Sequence, residues 1–482
     1  MRQAAVAFVL LLLSTAPARA LVPTPRVDAL LLEPGTPASL RSRLLTYADS
    51  VAAGSSGLAG EAWFFAGMSH DRGGNGDSAI LCYERAVNLR GFSDERIALV
   101  AALLRRQGPQ DVPAAQSHVR TLLLESSGGE LNAPLQGWLA WATHLAGQSD
   151  SAAILFKPLE TLLSHDLEWR FRLGQVSLAR RDGRQAYRWL LPLAVRSRKQ
   201  DVDVMDMLRK SLEGDVPADR IEREIDRQIG ARDRGVAKIV QEIGGKPVRF
   251  SGVDRFPLGG VVVAGSGAKR QRAAIVLVAH EDTLAAYDSL AVAFRRSGFA
   301  VMLMDVRGAG RSVGPFCPLP STWRGREDLM QSLCAGDIAP ALRALASAAP
   351  IDTTRYVLIA SGGAAPIAVE AAARDPRAEI LVLASPTPSV VGRGAMRADL
   401  GTRKLPVHFV TAPEDIGIVG FVESLYAMAD RAASRVVEAR VPGSGAIVLR
   451  RSRDTLTRCV RWVQETWAAN AKRATRPTPP RR

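Results

Sequence analysis

The stretch Asp305-Val306-Arg307-Gly308-Ala309-Gly310-Arg311-Ser312 follows directly on the apolar run Ala300–Met304. A short continuous apolar run that stops at a glycine-containing turn reads as a strand buried on both faces. The two glycines allow the chain to turn tightly where a side chain would resist. Working outward, Val261–Ala264 and Ile275–Ala279 repeat the pattern upstream, the first ending in the turn Gly265-Ser266-Gly267. Tyr356–Ala360, Ile380–Ala384, Val407–Val410 and Val436–Val441 repeat it downstream. Helical spacing fills about 284–297, 334–349, 363–374, 418–432 and 452–468. This alternation predicts a mostly parallel sheet with helices on both faces, an α/β domain over 245–470.

The chain before Gly244-Gly245 is different. From 41 to 232 its apolar residues keep helical spacing, and a motif recurs. Trp63, Gly67, Ala79, Tyr83 and Ala86 form the fullest copy. Ala115 with Val119, Ala152 with Phe156, and Gly174 with Ala186 and Leu190 form weaker ones. The alanines 79, 115, 152 and 186 are 36, 37 and 34 residues apart. Small residues at fixed places let paired helices approach closely, and bulky ones fill the space beside them. The pattern resembles the tetratricopeptide repeat, with its period of roughly 34 residues. It implies an all-α solenoid, whose concave face would bind a protein or peptide partner.

The ends carry other signals. Arg2, the apolar run Ala4–Leu13 and the small-x-small triplet Ala18-Arg19-Ala20 read as a secretory signal peptide over 1–20. Export to the periplasm or outside the cell is therefore expected, with no stable membrane span once the signal is removed. Residues 21–40 are Pro-rich without periodicity and read as a linker, and 471–482 as a disordered basic tail. The net charge of +15 comes from arginines scattered along the chain. Together with an export signal, that argues against nucleic acid as a partner. Cys317 and Cys334 lie in one loop-to-helix segment and could pair in an oxidising compartment. No Cys-x-x-Cys or His-x-x-x-His spacing occurs, and Gly265-Ser266-Gly267-Ala268-Lys269 lacks the Gly before Lys of a phosphate loop. No metal or other cofactor is expected.

Three stretches carry a more specific resemblance. Ile275-Val-Leu-Val-Ala-His280 is a strand opening into a loop, and Asp305–Ser312 reads Asp-x-Arg-Gly-x-Gly-x-Ser. Tyr356 to Glu370 reads as strand, turn and helix. Together they resemble the α/β-hydrolase superfamily, nearest its esterase and prolyl-oligopeptidase-like branches, over roughly 248–468. The resemblance implies a nucleophile, an acid and a histidine in that chain order.

Each position can be read here. At the elbow, Ile359-Ala360-Ser361-Gly362-Gly363 admits two registers. Ser361 as nucleophile leaves Ile359 where a small residue belongs. Sliding by one residue supplies Ala360 there but puts Gly362 in the nucleophile's place. Asp415, with Glu414 beside it, follows Val407–Val410 and matches the acid. After the last strand, Pro442-Gly443-Ser444-Gly445 leads to Ala446 where the resemblance places histidine. The six histidines are His70, His118, His144, His165, His280 and His408, and none lies in that loop. In the oxyanion loop, Glu281 and Asp282 stand where a glycine would free N–H donors.

Two functions are compatible with these residues. One is a hydrolase-fold protein with a degenerate triad, whose repeats bind a protein and whose pocket takes a small acyl or ester ligand. The other is an active acyl or ester hydrolase using Ser361 with an unconventional base, Glu281 or His280.

Overall fold

The computed structural model describes residues 23–125, 132–163, 166–213, 216–265 and 270–474. The expected signal peptide and the loop 266–269 lie outside these, as does 475–482 of the tail expected over 471–482, whereas 471–474 complete a helix. The chain forms two compact units. One is built mainly of Pro37–Gly230, the other of Ala231–Pro320 and the chain from Asp328 onward.

The first unit is helical. Its elements are α1 (Pro25–Leu32), α2 (Pro37–Val51), α3 (Ser56–Arg72), α4 (Gly76–Leu89), α5 (Ser93–Arg106) and α6 (Asp111–Glu125). There follow α7 (Asn132–Leu145), α8 (Ser149–Phe156), α9 (Leu167–Ala179), α10 (Gly183–Arg196), α11 (Val202–Ser211) and α12 (Ala218–Glu242), whose residues from Ala231 onward belong to the second unit. The linker expected over 21–40 is largely helix. Pro25 and Pro37 each open a helix, where a missing N–H costs nothing. Val27 and Leu31 are buried, an apolar face too short to stand out among the prolines.

Successive helices pack against one another along the chain. The alanines 79, 115, 152 and 186 are all fully buried. A side chain on Gly67 would come within 2.7 Å of the Tyr83 ring, so the α3–α4 contact depends on that glycine. Arg172 is enclosed by aromatic rings, 4.3 Å from Trp138 and 4.4 Å from Trp169. Burial pulls its pKa down to about 10.

The second unit contains an eight-stranded sheet: β1 (Lys246–Ser251), β2 (Pro257–Val263), β3 (Gln271–Val278), β4 (Phe299–Asp305), β5 (Ile351–Ser361), β6 (Ala378–Ala384), β7 (Val407–Thr411) and β8 (Arg435–Glu438). Their order is β1-β2-β4-β3-β5-β6-β7-β8. The β1–β2 and β2–β4 pairings are antiparallel and the rest parallel. The helices are α13 (Asp288–Arg296), α14 (Glu327–Gly336), α15 (Ile338–Ala348), α16 (Ala365–Arg374), α17 (Arg393–Arg403), α18 (Val419–Met428), α19 (Ala446–Arg451) and α20 (Arg453–Ala474).

Several elements escaped the sequence reading, among them β1, most of α14, α17 and α19. β1 reads Lys-Pro-Val-Arg-Phe-Ser and has no fully buried position, as an edge strand allows. α17, Arg-Gly-Ala-Met-Arg-Ala-Asp-Leu-Gly-Thr-Arg, buries only Gly394, Met396 and Leu400, too sparse an apolar face for periodicity to reveal.

The Asp305–Ser312 loop is a brace. Gly308 and Gly310 take positive φ, +78° and +54°. Asp305 accepts from the Arg311 N–H at 3.0 Å, and the Ser312 hydroxyl donates to the Asp305 carbonyl at 2.7 Å. Arg307, fully buried, donates two bonds to Asp337 (2.7 and 2.8 Å) and two to Asp254 (both 2.7 Å). It thereby fastens the end of β4 to the β1–β2 turn and the start of α15. Its bonds hold the Asp254 carboxyl below the usual range, whereas burial pushes that of Asp337 up despite the same partner.

Candidate functional site

β5 ends in extended backbone at Ser361 (φ −130°, ψ 159°) and the chain reverses at Gly362, φ +51°. A short turn over Gly362–Ala364 then leads into α16. The strained residue is thus Gly362, flanked two residues away by Ala360 and Ala364. Of the two registers, the backbone adopts the one that puts glycine at the point of the elbow. Ser361 lies one residue earlier, with its side chain on the other side of the strand's pleat.

Glu281, on the loop after β3, fills the space this leaves. Its Oε1 accepts the Gly363 N–H at 2.8 Å, the donor that follows the elbow residue and would serve an oxyanion. The same oxygen stands where a Cβ on Gly362 would have to lie. Although Glu281 is exposed as a residue, its carboxyl is crowded enough that desolvation raises its pKa, with Asp282 adding to the effect.

The Ser361 hydroxyl, 1% exposed with its residue, belongs to a closed triangle. It lies 2.8 Å from Asp282 Oδ2 and 2.6 Å from the Tyr287 hydroxyl, which itself is 2.7 Å from Asp282 Oδ2. Two hydroxyls and one carboxylate oxygen thus close on one another, so both hydroxyls are committed within the triangle. Burial raises the Tyr287 pKa well above its usual value, and neighbouring Asp282 adds to this. Gly445, in the loop after β8, packs against Ser361 from above, with space for an ideal Cβ only 3.6 Å from the serine's own.

Asp415 is buried in a second, separate set of bonds. Its Oδ2 accepts from the Ser385 hydroxyl at 2.6 Å and the Ala412 N–H at 2.8 Å, and its Oδ1 from the Ser444 hydroxyl at 3.0 Å. Ser385, itself at φ +44°, also accepts from the Gly445 N–H at 2.8 Å. The carboxylate that would orient a histidine is therefore held by a serine from the loop where that histidine would sit. Ala446 is buried at the start of α19. His280 Nε2 bonds the Arg307 carbonyl at 2.6 Å, and His408 lies in β7 with its ring 5.0 Å from Trp462. Among the described residues, the hydrogen bonds of Ser361 and Asp415 run to other partners than these two rings.

The structure thus brings Ser361 to Asp282, and Gly362 to Glu281, and keeps Asp415 with Ser385 and Ser444. The Glu414 side chain lies outside the described residues. The Cys317–Cys334 bridge is not formed: both are buried thiols, Cys317 packed under Gly308, and burial holds the Cys334 thiol well above its usual range. Tyr287, Ser385 and Ser444 were not singled out from the sequence, where a tyrosine five residues beyond Asp282 and two loop serines carry no signature. Among the described residues, no helix is long and apolar enough to cross a membrane.

The sequence profile of the serine aminopeptidase family S33 matches residues 269–404. An esterase of Pyrococcus furiosus is similar in structure at 12% identity and a TM-score of 0.36, covering 47% of this chain and 93% of its own. The esterase domain of a Rhodothermus marinus protein matches at 15% identity and a TM-score of 0.33, covering 48% of this chain and 98% of its own. Curated protein sequences returned no match. On its strand order, its elbow after β5 and the profile match across its centre, the second unit has the α/β-hydrolase fold.

Proposed function

We propose that this is an exported α/β-hydrolase-fold protein that has lost hydrolytic chemistry and serves as a binding protein. The observation that carries this reading is the Glu281 carboxylate. It occupies both the place of a nucleophile's side chain on Gly362 and the N–H of Gly363 that would stabilise an oxyanion. A negative charge held there opposes the charge that acyl transfer develops. Ser444 on Asp415 and Ala446 at the start of α19 supply no imidazole to relay a proton. Purified full-length protein is expected to leave short-chain aryl esters and aminoacyl anilides intact above the rate in buffer. Turnover that disappears in Ser361→Ala would refute the reading.

The helical unit is, on this proposal, a stack of tetratricopeptide-like repeats that binds a protein or peptide. The recurring buried alanines and the glycine beneath Tyr83 support it. Removing 41–232 should abolish co-purification of a partner, and its persistence would speak against the repeats as the binding surface. Export predicts that the mature chain begins at Leu21, which N-terminal sequencing of the native protein reads directly.

One observation favours a second reading, an acyl or ester hydrolase using Ser361. Asp282, rather than Glu281 or His280, lies within bonding reach of that hydroxyl, at 2.8 Å. Against it stand the burial of Ser361 and its extended, unstrained backbone.

A further inference from the structure

Away from the elbow, helices α13 and α20 flank an open groove of about 760 Å³. Along α13, Ser289, Val292, Ala293 and Arg296 line it, at the three- and four-residue spacing of one helix face. Along α20, Arg453, Thr457, Arg461 and Gln464 do the same. Arg450, from α19, adds a fourth guanidinium, while Glu242 and Asp288 supply the acidic side chains. Asp288 is already taken by Arg450 at 3.2 Å. Among the described residues, Arg296, Arg453 and Arg461 form no ion pair, and all three are exposed.

Three exposed guanidinium groups converging on one concavity repel one another, a cost that a bound anion removes. The planar fork of arginine pairs two N–H donors with two oxygens of a phosphate or carboxylate, and several together favour a ligand with several such groups. The volume lies within the roughly 300–1,000 Å³ of pockets that take small ligands, larger than a single phosphate needs. We propose that this groove is a binding site for a phosphate-bearing anion, held by Arg296, Arg453 and Arg461 and supplied either by a soluble polyphosphorylated molecule or by anionic phospholipid headgroups. It is independent of the chemistry around Ser361.

The test is titration of the full-length chain with inorganic tripolyphosphate, and flotation with phosphatidylcholine vesicles with or without phosphatidylglycerol. A variant carrying Arg296→Ala, Arg453→Ala and Arg461→Ala is compared with one carrying Arg209→Ala, Arg223→Ala and Arg227→Ala, which removes equal charge from exposed positions elsewhere. The groove variant should lose affinity for tripolyphosphate at least about tenfold, and the control variant should not. Loss confined to phosphatidylglycerol vesicles in the same comparison identifies the headgroup as the source. The single change Arg453→Glu repeats the measurement if the triple variant melts early. Equal losses in both variants, or no binding of either probe by the unaltered protein, would overturn the proposal.

Discussion

Glu281 accepts the Gly363 N–H at 2.8 Å while its carboxylate fills the volume that any side chain on Gly362 would require. The loop after β3 and the turn after β5 are therefore matched to each other. Gly362→Ala should be destabilising by about 1–3 kcal/mol, from its positive φ and from the displaced carboxylate. In a Glu281→Ala background the same change should cost less, because only the backbone term remains. Urea denaturation of the four proteins measures that coupling, and strictly additive effects would contradict the match.

The Asp282–Tyr287–Ser361 triangle is a structural unit on this account. Tyr287→Phe and Ser361→Ala should each cost about 1–2 kcal/mol, since each leaves Asp282 with one partner fewer. The double variant should cost less than their sum. A double variant whose cost equals the sum would mean that the two hydroxyls do not share the carboxylate.

Arg307 gives a larger effect. With Asp337 fully buried, Arg307→Met leaves a carboxylate without its partner in the interior, and a loss of about 3–5 kcal/mol is expected. Arg307→Lys should recover only part of it, because an ammonium cannot serve both carboxylates with paired bonds. Thermal unfolding checks both, and a lysine variant as stable as the parent would refute the fork geometry.

This residue also shows what the sequence made legible. Asp-x-Arg-Gly-x-Gly-x-Ser located β4 and the fold, because glycines at positive φ and a strand ending are local properties. The partners of Arg307, at Asp254 and Asp337, are 53 and 30 residues away and left no local trace. At the site, the absent histidine was visible as Ala446, and the elbow's two registers were both in view. Choosing between them needed the backbone: φ +51° falls on Gly362, and only the fold brings Glu281 beneath it. Ser444 and Ser385 were invisible for the same reason, since a loop serine has no signature until a buried carboxylate is seen facing it.

His408 predicts a pH dependence. It is buried in β7 without a polar partner for either ring nitrogen, and burial, with Arg435 nearby, lowers its pKa to about 4. In the unfolded chain the value is about 6.5. Between these, the unfolded state binds a proton that the folded state refuses, so stability falls as pH drops from about 6.5 toward 4, by up to about 3 kcal/mol. Above pH 6.5 this contribution is flat. His408→Phe should remove this part of the acid sensitivity in urea titrations at pH 4.5 and 7, and an unchanged difference between the two would locate it elsewhere.

The central claim, that no activated serine survives at the elbow, is tested most directly by a fluorophosphonate probe on the full-length folded protein, read by intact mass and peptide mapping. The account predicts no covalent adduct. Stoichiometric labelling of Ser361, abolished by Ser361→Ala and reduced by Asp282→Asn, would contradict it.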